Sequence, residues 1–171
     1  NDDRIFQRAC VGLARMGHDV ELISMSQKSV PCSESQLLNV KLSFVPERNG
    51  LKRRWAASRD IIEKAIHSNS QVYQIHDPDL LPFVAKLKRK CPESSIVYDI
   101  HENYAGRFKE WGLPNLFGKL YRQYEKSVIN KIDAITVVST SMKSLFQGVK
   151  VPIEITRNST DLSRLENLKI N

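Results

Sequence analysis

The feature that most constrains this chain is an alternation. Short runs of β-formers at residues 20–23, 40–45, 72–75, 96–100, 134–138 and 153–156 are separated by longer segments whose apolar residues recur at helical spacing. Strands that alternate with helices build right-handed βαβ units on a parallel sheet with helices on both faces. The expected fold is therefore α/β and Rossmann-like, in one domain, since 171 residues suffice for a single sizeable core.

The intervening segments carry their own punctuation. Asp2 or Asp3 caps a first helix whose buried face is Ile5, Phe6, Ala9, Cys10, Leu13 and Ala14, and Gly17 supplies its left-handed stop. Residues 24–39 lack periodicity and read as a long loop. Residues 51–68 form a basic amphipathic helix with Trp55, Ile62, Ala65 and Ile66 among its apolar positions. Asp79 caps a helix through residue 90 whose core face is Leu80, Phe83, Val84 and Leu87. Residues 104–113 are aromatic and irregular. Asn115 then caps a long helix through Leu116, Leu120, Tyr124, Val128 and Ile129. Ser139 or Thr140 caps a short helix ended by Gly148. The chain opens on a helix and closes on Leu162, Leu165 and Leu168 with nothing left to pack against, so both ends are expected to be cut and the first strand to be missing.

Two strand ends share a grammar. Val72-Tyr73-Gln74-Ile75 runs into His76-Asp77-Pro78-Asp79, and Ile96-Val97-Tyr98-Asp99-Ile100 runs into His101-Glu102-Asn103-Tyr104. In open α/β sheets ligands bind outside the carboxyl ends of the strands, so the two histidines are expected at one shared site. Asp99 faces as His101 does along a strand and would orient its ring. Asp77-Pro78-Asp79 also reads as a plain turn and helix cap.

Composition narrows the classes. No apolar run approaches the roughly 18 residues that span a bilayer. The three cysteines, Cys10, Cys32 and Cys91, are odd in number and fit no metal or redox spacing, as expected of reduced thiols in a cytoplasmic protein. The net charge of +7 is concentrated at Lys52-Arg53-Arg54 and at Lys86, Lys88, Arg89 and Lys90. No nucleic-acid motif or aromatic interleaving accompanies it, which excludes nucleic acid as the expected partner. Solvated helix faces are the plainer reading of that charge; the functional one is attraction to an anionic partner such as a membrane surface or a phosphorylated substrate.

Taken in order, Asp3-Arg4-Ile5-Phe6 with Gly17-His18-Asp19-Val20, His76-Asp77-Pro78-Asp79-Leu80-Leu81-Pro82, Tyr98-Asp99-Ile100-His101-Glu102 and Asp133-Ala134-Ile135-Thr136-Val137-Val138-Ser139 resemble the amino-terminal domain of glycosyltransferase family 4. The resemblance runs over residues 3–161. It implies one half of a GT-B enzyme: residues 1–161 form the acceptor domain, residues 162–171 begin the interdomain linker, and the carboxyl-terminal donor domain is absent. It also implies retaining transfer from a nucleotide sugar to a sugar or lipid-linked acceptor, in cell-surface polysaccharide or glycolipid synthesis. No metal or other cofactor is expected, and this fragment alone is expected to be inactive. The expected location is cytoplasmic, with peripheral contact to the inner face of the plasma membrane as an option. Departures are the lost glycine-rich loop ahead of Asn1, Arg157-Asn158-Ser159 where the family has Pro-Asn-Gly, and the lost donor-binding glutamate pair.

By the same resemblance His101 is the catalytic candidate, near the transferring sugar. His76, Asp77, Glu102, Arg4 and Tyr104 are candidates for substrate contact, and Trp111 with Tyr104 for an aromatic acceptor platform. Two other classes compete. One is a metal-dependent hydrolase using His76, Asp77, Asp99 and His101, disfavoured because no His-x-His or His-x-x-x-His spacing occurs. The other is a non-catalytic module that binds an anionic surface.

Overall fold

The computed structural model describes residues 4–25, 40–46 and 50–156. Expectations for Asp2, Asp3, most of the loop at 24–39, Cys32 and everything after Thr156 lie outside them. The chain begins with a π-helical segment, Arg4–Cys10, that passes into α1 (Val11–Arg15). Its wider turn moves the buried face onto Phe6, Cys10 and Val11 and leaves Leu13 exposed, where an uninterrupted α-helix would have buried it. Gly17, at φ +89°, ends α1 as expected. The Gly17 N–H bonds to Ala14 and the His18 N–H to Leu13, a Schellman closure.

Six strands follow the expected positions: β1 (Val20–Ser24), β2 (Val40–Phe44), β3 (Val72–Ile75), β4 (Ser95–Ile100), β5 (Ala134–Val137) and β6 (Ile153–Ile155). Every pairing is parallel. The strands form two sheets, β1-β2 and β3-β4-β5-β6, rather than one. The two are linked by packing. Ile23 of β1 rests on the main core, and Lys64 of α2 (Leu51–Ser68) donates to the Phe44 carbonyl.

Helices α3 (Val84–Lys90), α4 (Tyr104–Glu110), α5 (Asn115–Ile129) and α6 (Thr140–Leu145) complete the described fold. The core is the β3–β6 sheet face of Tyr73, Ile75, Ile96, Tyr98, Ile100, Ile135 and Val137, joined by Ile62, Leu81, Val84, Leu87, Ile129 and Phe146. Ser139 caps α6 as expected, accepting from the Met142 N–H at 3.2 Å, and Gly148 follows it at φ +84°.

Three helix expectations need correction. The segment from Pro78 to Phe83 is a 3-10 helix, and Asp77 rather than Asp79 holds its cap position. Proline explains both. Pro78 forces Asp77 into extended backbone, φ −104° and ψ 134°, and Pro82 has no N–H to donate to the preceding turn, so α-helix starts only at Val84. Asp79 instead pairs with Arg54 at 2.6 Å. Residues 104–110 are helical rather than irregular, because the Asn103 carboxamide accepts the Gly106 N–H at 3.1 Å and caps α4. Finally, Pro114 rather than Asn115 holds the cap position of α5, without a side-chain cap bond, and Leu116, Leu120 and Tyr124 are exposed. The buried face of α5 is Gly118, Glu125, Val128 and Ile129 instead.

Candidate active site

Strand alternation puts Gln74 and His76, Val97, Asp99 and His101, and Thr136 on the opposite sheet face from the core. The parallel register carries this across strands: Gln74 lies beside Val97, and Asp99 beside Thr136. His76 follows the last residue of β3 and His101 the last of β4. The two imidazoles therefore meet at the carboxyl edge of the sheet, as their shared strand-end position predicts.

Their contact is close. His76 Nδ1 lies 3.0 Å from His101 Nε2, and each nitrogen lies 3.1 Å from Asp99 Oδ2. The rings are nearly parallel, 12° apart, with centroids at 5.3 Å. The other Asp99 oxygen accepts from the Thr136 hydroxyl at 2.7 Å, while the Gln74 carboxamide makes a long 3.5 Å approach to Oδ2. All three members are mostly withdrawn from water, with side-chain exposures of 15% for His76, 12% for Asp99 and 9% for His101.

Burial alone would raise the Asp99 pKa. The hydrogen bonds from His76 and Thr136 and the charges of both imidazoles outweigh it and hold the carboxyl below its ordinary range. Asp99 is thus an anion at neutral pH and the hub of the cluster. Lone pairs on three atoms at 3.0–3.1 Å repel unless something electropositive, a ring N–H hydrogen or a cation, lies among them. A ring N–H donated to Asp99 supplies it and fixes the ring orientation. A divalent cation would supply it too, since cis ligands of a six-coordinate ion at roughly 2.1 Å lie about 3 Å apart.

The remaining candidates scatter around this hub. Asp77 is exposed at the turn after β3. Glu102 turns to Arg107, 2.9 Å away, and not to the imidazoles. Tyr104 opens α4; burial and then the carboxylates of Asp77 and Glu102 push its phenol pKa up. Trp111 is exposed and packs edge-on against Phe108 at 5.6 Å. The Arg4 side chain lies outside the described residues. Sequence reasoning missed Thr136 and Gln74 as partners of Asp99. A signal existed for Thr136, a lone hydroxyl in the apolar run Ala134-Ile135-Thr136-Val137, but only the register shows which strand it serves.

The family model described as Glycosyltransferase Family 4 matches residues 4–164. The chain belongs to glycosyltransferase family 4. That match spans both histidine strand ends and the β5 partner strand, and it agrees with the parallel α/β architecture. No curated protein and no solved structure matches the chain. Among the described residues no helix is long and apolar enough to cross a membrane.

Proposed function

We propose that this family 4 domain is the acceptor-holding unit of a retaining glycosyltransferase. Its donor is a nucleotide sugar, its acceptor a sugar or lipid-linked sugar, and its setting the cytoplasmic synthesis of cell-surface polysaccharide or glycolipid. The observation that supports this reading most is the His76–Asp99–His101 cluster at the carboxyl edge of β3 and β4. Asp99 holds the imidazoles in place, so that His101 presents a fixed hydrogen-bonding group to a sugar hydroxyl as charge develops at the reacting carbon. Asp77, Glu102 and Tyr104 supply the rim that would contact substrate, Arg4 is a further candidate for that contact, and no metal is required.

The test is glycosyl transfer from a panel of nucleotide sugars by the enzyme that carries this domain. His101→Ala should lower kcat by roughly one to three orders of magnitude, the range for loss of a positioned acid-base or hydrogen-bonding group. Its melting temperature should hardly move, because a strand-end side chain facing a polar edge fills no core volume. Unchanged kcat with a lowered melting temperature would make His101 a structural residue.

One observation favours a second reading, a divalent-cation site in a metal-dependent enzyme. His76, Asp99 and His101 bring three ligand atoms within 4.8 Å of one another from two strands, without the linear His spacing. Asp77 is not part of that group. Cobalt(II) absorption separates the readings. Transfer that survives chelation without cobalt binding supports the first. A cobalt spectrum lost in both His76→Ala and Asp99→Asn, with activity abolished by chelator, supports the second.

A further inference from the structure

Helices α4 and α5 form a hairpin whose outer surface is apolar. Of the ten large hydrophobic residues exposed among the described residues, six lie between Trp111 and Tyr124: Trp111, Leu113, Leu116, Phe117, Leu120 and Tyr124. Leu116, Leu120 and Tyr124 follow one another at i, i+4 and i+8, with Phe117 beside them, so they share one face of α5. Trp111 and Leu116 are each 61% exposed and Leu120 53%. Scattered exposed apolar side chains are ordinary in soluble proteins, but a contiguous stripe marks a surface that meets something.

The stripe is rigid. Gly118 brings α5 against α4 so closely that a Cβ there would lie 2.5 Å from the Ala105 carbonyl oxygen. Phe108 packs on Tyr121 at 5.4 Å, and Glu125 under α5 is buried with Arg122 paired to it at 2.6 Å. The exposed leucines are thus held outward by a fixed underside.

Charge identifies the occupant. From Glu102 to Asn130 the sequence carries Arg107, Lys109, Lys119, Arg122 and Lys126 against Glu102, Glu110 and Glu125; Arg107 is paired with Glu102 and Arg122 with the buried Glu125, which leaves Lys109, Lys119 and Lys126 as the cations of the outer surface. On the flank of the stripe an open groove of about 410 Å³ is lined by Asn103, Asn115, Lys119, Arg122 and Gln123. Lys119, Asn115 and Gln123 carry N–H donors suited to phosphate oxygens, while the Arg122 guanidinium is engaged with Glu125 and Asn103. An apolar face bearing Trp, Phe and Leu beside Lys is the pattern of an element lying in a bilayer interface, its apolar side among acyl chains and its cations at the headgroups. We propose that the α4–α5 hairpin docks on an anionic phospholipid surface, with the stripe inserted and the Lys119–Arg122 groove at the headgroup phosphates. The proposal stands apart from the glycosyl-transfer reading.

Vesicle flotation of the 171-residue chain tests it, with phosphatidylcholine alone and with phosphatidylcholine mixed with phosphatidylglycerol. The chain should float with the mixed vesicles, and high salt should weaken binding about tenfold. The double variant Leu116→Ser/Leu120→Ser should reduce that binding about tenfold or more while circular dichroism and melting stay as in the parent. Lys109→Gln/Lys119→Gln should remove most of the salt sensitivity. His101→Ala should bind as the parent does, which separates this outcome from the fate of the active-site reading. Equal binding to uncharged vesicles would overturn the anionic assignment. Absence of binding, or binding untouched by the leucine variant, would overturn the proposal. So would a dimer in sedimentation that the leucine variant dissolves without any vesicle binding, since the occupant would then be a second copy of the chain.

Discussion

The histidine cluster and the α4–α5 hairpin are separated in sequence by only Glu102 and Asn103, yet they are built in opposite senses. At the strand edge, polar groups from three strands converge on one carboxylate, and none of them fills core volume. In the hairpin, the polar groups lie underneath. Glu125 is fully buried, accepts from Arg122 at 2.6 Å and meets the Tyr98 hydroxyl at 3.5 Å, while leucines and aromatics face outward. Arg122 extends over the Phe146 ring at 4.7 Å and also donates to the Asn103 carboxamide, so the hairpin is moored two residues beyond His101. Under the proposed function, polar residues at the edge act on a ligand. Polar residues in the hairpin hold structure, and its apolar residues form the surface.

Substitution should therefore separate chemistry from stability in the two regions. The largest effect is expected at Glu125. Glu125→Ala leaves the Arg122 guanidinium without its carboxylate in a mostly buried place, and breaking a buried pair in this way costs about 3–5 kcal/mol. Urea unfolding should show that loss, with kcat per folded molecule intact. If instead turnover falls while stability holds, the hairpin is part of the catalytic apparatus and the contrast fails.

Next is Asp99→Asn, the matching change at the strand edge. The carboxamide keeps the shape and can still accept from Thr136, but it removes the anion that both imidazoles face at 3.1 Å. Turnover should fall roughly 10- to 100-fold, as when an orienting carboxylate behind a histidine is lost, and the pH–rate profile should shift because the ring nitrogens lose their charged neighbour. A loss of stability with an unmoved pH profile would show Asp99 to be structural. Smaller again is Gly118→Ala. The added Cβ must displace the Ala105 carbonyl, which belongs to backbone and cannot rotate away, so a loss of about 1–3 kcal/mol is expected. Kinetic constants for a water-soluble acceptor should not change.

The same contrast explains what could be read before folding. Strand positions, the shared edge of His76 and His101 and the placement of Asp99 on the same side as His101 follow from period-2 alternation and from histidines placed just after β-formers, both local signals. The hairpin misled because helical periodicity reports that Leu116, Leu120 and Tyr124 share a face, not which face meets the core. Gly118, Glu125 and Ile129 share another, and a buried glutamate is invisible unless Arg122, three residues before it, is recognised as its partner. The helix at residues 104–110 was missed because its aromatic residues show no clear period, and the Asn103 cap that starts it was not recognised. Thr136 required the β4–β5 register, which no single strand contains.

The smallest effects should appear in the pH dependence of stability, where the two buried carboxyls carry opposite signs. The Asp99 pKa is lowered in the folded state, because hydrogen bonds from His76 and Thr136 and the imidazole charges overcome burial. Its contribution is complete above the unfolded value near 3.8 and is lost as pH falls below that through the folded pKa. The Glu125 pKa is raised, because burial outweighs the charge and hydrogen bond of Arg122 and the hydrogen bond of Tyr98. Its contribution is complete below the unfolded value near 4.5 and is lost as pH rises through the folded pKa. Urea midpoints taken from pH 3 upward should then diverge from the parent in two windows, each tied to one region. Asp99→Asn should flatten the acid-side fall below about pH 4, and Glu125→Gln, which keeps an acceptor for Arg122 and Tyr98, should flatten the decline above about pH 4.5. Two variants that moved the same limb of the curve would mean that the edge and the hairpin titrate as one coupled unit, joined through Arg122 and Asn103.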